Sequence, residues 1–206
     1  MTYGSLNHLI SEHKDNSTEQ IQVKPSAISI EQYMNFMGIP PSMRPQIVGA
    51  DVIALPAGYV DNEKAFAVSL YDFMAYVNEQ GSLKMEICCT DDQFSVVELC
   101  SLKTRLGKFF LPSVITGVLF WNILSNYIYD QIKPVLPNFN PIESVETPQF
   151  LDAPEVSFSI VMPDSTGNMT EIEYDGPVEG VEKVGDIVKT LANSNANDTN
   201  ANQSEK

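Results

Sequence analysis

The feature that most constrains the fold of this chain is Phe109–Tyr129, a stretch of 21 residues without a formal charge. A bilayer span needs about 20 predominantly apolar residues, so the stretch is long enough to cross a membrane. Its polar residues do not form the single stripe of a surface helix. At about 100° per residue, Thr116 and Gly117 lie on one side, whereas Asn122 and Asn126 lie roughly opposite. We therefore expect a helix that other parts of the protein enclose on most sides.

Prolines mark both ends of this helix. Pro112 suits the first turn, where its missing N–H costs nothing, and the next proline stands two residues beyond Ile132. The sequence therefore predicts a helix from about Pro112 to Ile132 within a central apolar segment, residues 109–133. If that helix is buried, replacing Val118 or Leu119 by Asp puts an unpaired charge in the core and is expected to unfold the protein.

The alternative interpretation is a membrane-associated or single-span protein anchored by residues 109–129. Three bases, Lys103, Arg105 and Lys108, precede this stretch and one, Lys133, follows, which would place the N-terminal side of a spanning helix in the cytoplasm. The first residues lack the basic and apolar regions of a secretory signal, and three cysteines without disulfide or zinc spacing favour a reducing compartment. We therefore expect a cytoplasmic protein, with membrane association as the alternative.

The N-terminal half matches itself at an offset of 40 residues. Residues 24–37, KPSAISIEQYMNFM, and residues 64–77, KAFAVSLYDFMAYV, have lysine, alanine, serine and methionine at equivalent positions. Each copy is typical of a strand that leads into a helix, with Ser29 or Ser69 as the N-cap and apolar residues at i, i+3, i+4 and i+7. A glycine follows each predicted helix, where left-handed C-terminal caps occur. The match indicates one supersecondary unit used twice.

Two further segments have the alternation of β-strands. Leu83–Thr90 alternates in polarity, and Phe94–Cys100 returns after an Asp-Asp turn, which predicts a β-hairpin. Within residues 155–192, two alternating segments around a DSTGN loop precede an amphipathic helix and predict a ββα unit. Such a unit is too small to be stable alone, so it must dock on the rest of the chain or on another chain.

Together these patterns predict an α+β fold. Residues 19–108 form an α/β region with the duplicated strand–helix unit and the hairpin, followed by the long central helix and the ββα unit. Residues 1–18 are expected to be a polar arm, and residues 134–154 a proline-rich connector. The asparagine-rich residues 193–206 are expected to be a disordered tail.

Composition and motifs limit the functions that this chain can have. Its net charge of −15 disfavours binding to nucleic-acid phosphates. The sequence contains no phosphate-binding glycine loop, nucleophile elbow, H-E-x-x-H or EF-hand pattern. The two histidines, His8 and His13, are five residues apart and do not share a helix face. We therefore expect no enzyme activity, no catalytic, cofactor or metal site, and no identifiable small-molecule ligand.

The sequence favours a non-enzymatic protein–protein interaction, in which the chain is an accessory or scaffold subunit of an assembly. Its partner would be another protein or a second copy of the chain. This hypothesis rests on the missing catalytic patterns and on two incomplete units joined by an apolar helix. The proline-rich connector has two alternative interpretations: a segment that docks on a partner, or one that packs against the protein's own surface. The predicted contact residues are Phe139, Ile142 and Phe150 of the connector and Trp121 of the central helix.

Overall fold

The computed structural model describes residues 19–27, 29–56, 58–60, 63–90, 94–97, 103–132 and 154–193. The fold is α+β, as predicted. The strands are β1 (Gln20–Pro25), β2 (Val52–Leu55), β3 (Gly58–Val60), β4 (Glu63–Ala67), β5 (Met85–Ile87), β6 (Phe94–Val97), β7 (Lys103–Phe110), β8 (Glu155–Pro163) and β9 (Met169–Pro177). The helices are α1 (Ile30–Phe36), α2 (Arg44–Val48), α3 (Ser69–Gln80), α4 (Val114–Tyr127) and α5 (Glu182–Asn193), with a π-helix at Ile128–Ile132 and a 3₁₀ turn at Val178–Gly180.

The main sheet has six strands in the order β1-β9-β8-β7-β2-β5, and β3, β4 and β6 form a second sheet. In the main sheet β7 and β8 are parallel, as are β2 and β5, and the other neighbours are antiparallel. Parallel neighbours need a crossover, and α4 lies in the connection from β7 to β8 just as α3 lies between β2 and β5.

The central strands of this sheet are buried on both faces. Alternate residues of β2, β7 and β8 belong to two separate apolar clusters, because successive side chains of a strand point to opposite faces. The larger cluster, beneath α3, α4 and α5, includes Val52, Ala54, Phe109 and Ile160. The smaller cluster, beneath α1 and α2, includes Ile53, Leu55, Phe110 and Val161.

The uncharged stretch is not helical throughout. Phe109 and Phe110 are the last residues of β7, where they pair with β2, so the central apolar segment begins in a strand, before the helix predicted from about Pro112. Helix α4 begins at Val114, and the Ser113 hydroxyl caps it by accepting a hydrogen bond from the Thr116 N–H at 3.1 Å. The π-helix then carries the chain to the predicted C-terminal end.

Helix α4 is enclosed on three sides, as expected. Phe120 packs edge-on against Phe73 of α3, with 5.7 Å between the ring centroids. Gly117 lies against Met162 of β8, and Trp121 lies against α5. The helix has 14 residues, and no helix in the described part of the chain is long and apolar enough to cross a membrane.

Both copies of the repeat form a strand followed by a helix, but their surroundings differ. The first strand, β1, belongs to the six-stranded sheet and the second, β4, to the three-stranded sheet. Ser29 is the N-cap of α1 but makes no capping hydrogen bond, whereas Ser69 is the first residue of α3 and its hydroxyl donates to the Arg105 carbonyl. The glycines after the helices, Gly38 and Gly81, have φ values of 67° and 63°, which confirms the left-handed backbone.

The predicted hairpin of residues 83–100 is wrong. Strand β5 pairs in parallel with β2, whereas β6 pairs in parallel with β4 in the other sheet. The alternation did identify the faces, because Met85 and Cys89 belong to the larger cluster and Cys88 to the smaller. It could not identify the strand partners, which are distant in sequence. The Asp-Asp turn lies outside the described residues.

The C-terminal ββα unit has the predicted elements β8, β9 and α5. Each of its three elements contacts the rest of the chain: β8 pairs with β7, β9 pairs with β1, and α5 packs on α4. Its two strands therefore lie inside the six-stranded sheet, which explains how a unit of this size is stable.

Candidate functional site

The structure describes only one of the four predicted contact residues, Trp121. The other three lie outside the described residues: Phe139, Ile142 and Phe150. The Trp121 side chain is 6 % exposed, because its indole ring packs against α5 and lies 6.4 Å from the ring of Phe158 between centroids. Trp121 is thus a core residue, and the part of α4 that a partner can reach is its opposite side.

The outward side of α4 carries four exposed residues: Ile115, Leu119, Asn122 and Asn126. We call these four residues the uncharged face. Ile115 is 75 % exposed and Leu119 is 44 % exposed, so the expectation that Leu119 is buried is wrong. Val118, also expected in the core, is partly exposed beside them. Half of the uncharged face is therefore apolar and half consists of side-chain amides.

Helix α4 differs from the neighbouring helices α3 and α5 in its lack of charged residues. No charged residue occurs between Val114 and Tyr127, whereas α3 exposes Asp72 and Glu79, and α5 exposes four charged residues. A helix that faces water usually carries charged residues on its outer side. The outer side of α4 departs from that pattern over its whole length.

The spacing of the uncharged face is four, three and four residues. That is the spacing of the seam along which two helices pack, since an apolar or amide residue then recurs about every 3.5 residues on one side. Ile115 and Leu119 form the apolar half of the seam, and Asn122 and Asn126 form the amide half. The uncharged face thus has the side-chain arrangement of a helix–helix contact.

A second polar surface lies on the sheet face that α1 and α2 cover only in part. We call it the charged face; three adjacent strands contribute its bases, hydroxyls and acids: Lys103, Arg105 and Lys108 from β7, Ser157 and Ser159 from β8, and Glu171, Glu173 and Asp175 from β9. A β-bulge between Arg105 and Gly107 adds one residue to β7. Because of that bulge, Arg105 and Lys108 share a face although they are three residues apart.

Glu171 is the buried centre of the charged face. Its side chain accepts hydrogen bonds from the Ser159 hydroxyl at 2.8 Å and from the Lys108 ammonium, and Lys24 Nζ lies 3.8 Å from its second oxygen. Burial by itself raises the pKa of this carboxyl. The hydrogen bonds from Lys108 and Ser159, with the charges of Lys108 and Lys24, outweigh burial and hold the pKa below its usual value.

The charged face is largely neutralised within the chain. The Lys24 ammonium lies 2.7 Å from a Glu173 oxygen, and Lys103 contacts Asp175. These pairs link β1 to β9 and β7 to β9 across the sheet. Exposed pairs of this kind contribute only about 0–1 kcal/mol each, so the charged face holds strands in register more than it attracts a ligand.

Other chemistry-bearing groups do not converge on a site in the part of the chain that the structure describes. No group of three or more His, Cys, Asp or Glu residues there could hold a metal ion. Cys88 and Cys89 are both buried and form no disulfide bond. His8 and His13 lie outside the described residues.

Comparison of the chain with protein-family models, characterised proteins and solved structures finds no match. The chemistry of its own surfaces is therefore the guide to function. Sequence patterns alone missed the exposure of Ile115 and Leu119, although one signal was present: amides recur at the seam spacing after two apolar residues, in a helix without charge.

Proposed function

We propose that this protein is a non-enzymatic accessory or scaffold subunit that binds another protein through the uncharged face of α4. The observation that carries the proposal is the exposure of Ile115 and Leu119 on a helix with no charged residue. Covering the exposed parts of both side chains would contribute about 2–3 kcal/mol of binding free energy. The centres of protein interfaces are depleted in charge in the same way.

A protein helix fits this surface better than a small molecule does. The uncharged face is a stripe along a helix, and the complement of such a stripe is another helix with the same spacing. Asn122 and Asn126 can each donate and accept hydrogen bonds, so they favour a partner with polar groups at the matching turn. The apolar end supplies affinity and the amide end supplies orientation.

A lipid surface is the competing occupant of the uncharged face. Helices that lie on membranes usually carry Lys and Arg beside their apolar side, and α4 carries neither. The net charge of −15 opposes approach to anionic lipid headgroups. Both observations favour a protein partner over membrane association.

Photo-crosslinking in the cells that make the protein tests the proposal. A benzophenone side chain in place of Leu119 is expected to form an adduct with one protein. Ile115→Ser in the same chain should reduce that adduct at least fivefold. Phe36→Ser is the matched control, because Phe36 is also 75 % exposed but lies on α1, at the opposite face of the sheet, and this variant should keep the adduct.

Three outcomes would overturn the proposal. One is the absence of any adduct at position 119. Another is an adduct that Ile115→Ser leaves unchanged. The third is flotation with phosphatidylcholine–phosphatidylserine vesicles that depends on Ile115, which would assign the uncharged face to lipid.

A further inference from the structure

We infer that the partner of the uncharged face is a second copy of this chain, with the two α4 helices parallel and a two-fold axis running along them. This inference rests on the proposed function and names the partner. It follows from the order of residues along the uncharged face and from the charges of the helices on either side.

The residue order distinguishes the parallel from the antiparallel pair. In the parallel pair each residue of the seam meets its own counterpart, so Ile115 meets Ile115 and Asn122 meets Asn122 of the second copy. In the antiparallel pair Ile115 meets Asn126, and Leu119 meets Asn122. That arrangement buries amides against apolar side chains without a hydrogen-bond partner, which is costly. Facing Asn residues, by contrast, bond to each other and fix the register of paired helices.

Helices α3 and α5 lie on opposite sides of α4, and both are antiparallel to it. Helix α3 leads into β5, whose Met85 pairs with Val52 at the end of the sheet where α4 begins. Helix α5 ends there too, because the Leu191 carbonyl accepts a hydrogen bond from the Ser165 N–H just after β8. The two flanking helices are therefore parallel to each other.

The charges of these flanking helices favour the same arrangement. A two-fold axis along α4 brings α3 of one copy over α5 of the other. Helix α3 carries only the acids Asp72 and Glu79, whereas α5 is neutral in sum and exposes Lys183 and Lys189. The antiparallel pair instead sets α3 against α3, acid against acid, in a chain of net charge −15.

The contact is short, so the pairing should be reversible. Fourteen residues of helix extend over about 21 Å, and helix pairs of that length bury less surface than the about 1,600 Å² of a standard stable interface. We expect self-association at roughly 10–100 μM, in the range of transient interfaces.

Charge variants of Leu119 test the inference by sedimentation velocity. Leu119→Lys and Leu119→Glu each place like charges against each other in the parallel pair, so each variant alone should remain a monomer. An equimolar mixture of the two should restore the dimer. A mixture of Leu119→Glu and Asn122→Lys should not restore the dimer, because positions 119 and 122 do not face each other in the parallel pair. The same mixture would restore an antiparallel pair, in which these two positions meet. Phe36→Glu is the control and should associate like the wild type.

Each outcome bears on the inference. A wild-type chain that stays monomeric at 500 μM, variants of Leu119 that still dimerise, or rescue only by the Asn122→Lys mixture would overturn it. If the wild type is monomeric while the benzophenone at position 119 captures a different protein, the second-copy inference fails and the proposed function stands. If position 119 forms no adduct at all, both fail. Circular-dichroism melting of each variant checks that it is folded.

Discussion

A Cβ atom on Gly185 of α5 would lie 2.5 Å from Nε1 of Trp121 in α4 and 2.8 Å from Cε2 of the same ring. Real Cβ contacts do not occur at these distances, so α5 presses its backbone onto the indole and only glycine fits. A Cβ atom on Gly117 of α4 would lie equally close, 2.5 Å from Cε of Met162. There the neighbour is the end of a flexible side chain, which can move.

Alanine substitutions at these two glycines should therefore differ. Gly185→Ala is expected to lower the free energy of unfolding by about 1–3 kcal/mol, because the rigid indole must shift, even though Ala favours a helix by up to about 1 kcal/mol over Gly. Gly117→Ala should change stability by less than about 1 kcal/mol, and Gly117→Leu should destabilise by about 1–3 kcal/mol. Urea unfolding measures all three, and equal effects of the two alanine variants would contradict the packing argument.

Aspartate substitutions in α4 should separate its inner from its outer side. Leu124 is fully buried, so Leu124→Asp places an unpaired charge in the core and is expected to unfold the protein. Leu119→Asp changes an exposed position and should cost about 1 kcal/mol or less. Circular dichroism and soluble yield report the difference. Loss of the folded state in Leu119→Asp would show that the outward side of α4 is covered.

The buried carboxylate of Glu171 should make stability depend on pH. Because its pKa in the folded protein lies below the usual value of about 4.5, its ionised form contributes stability above pH 4.5, and this contribution is lost as the pH falls through the lowered pKa. Glu171→Gln removes a charged acceptor from Lys108 and should cost about 1–3 kcal/mol at pH 7. The difference in unfolding free energy between wild type and variant should shrink below pH 4.5.

Glu173→Gln is the matched control for that experiment. Glu173 lies two residues after Glu171 on β9, on the same face of the sheet. It pairs with Lys24 in a more exposed position. Its loss should leave stability close to that of the wild type, because exposed ion pairs contribute little. A difference between wild type and Glu171→Gln that stays constant from pH 7 to pH 3 would mean that Glu171 is not the titrating group.

The equivalent serines of the repeat should respond differently to alanine. Ser69 joins α3 to β7 by its hydrogen bond to the Arg105 carbonyl, so Ser69→Ala is expected to cost about 1 kcal/mol. Ser29 makes no capping hydrogen bond, and Ser29→Ala should be within about 0.5 kcal/mol of wild type. Thermal unfolding of both variants gives the comparison. A larger cost at Ser29 would indicate that the first copy is capped after all.

Local patterns predicted the elements well, because each pattern belongs to one segment. The alternation in β8 and β9, the amphipathic α5 and the proline-bounded α4 could all be identified from neighbours in sequence. The partner of a strand could not. Nothing in Met85–Ile87 or Phe94–Val97 indicates that the two strands belong to different sheets, since pairing depends on residues far along the chain.

The same limit applies to the uncharged face. The exposed residues of α4 are apolar or amides, with no charged residue among them. The hydrophobic pattern of the helix therefore does not indicate that Leu119 faces water and Leu124 faces the core. Which side faces water is decided by α3 and α5, whose positions follow from the sheet order. The interaction hypothesis could be formed from the sequence, but its surface required the packing of three helices.

The pairing of β1 with β9 has a consequence for the protein while it is being made. The Lys24–Glu173 pair joins residues 149 positions apart. At a synthesis rate of about 5–20 residues per second, β1 leaves the ribosome roughly 8–30 s before the strand that it pairs with. During that interval its backbone hydrogen-bond groups have no native partner strand, and this is when a nascent chain is most open to chaperones and to wrong pairing with other chains. The β1 edge of the six-stranded sheet therefore forms only after β9 has been synthesised.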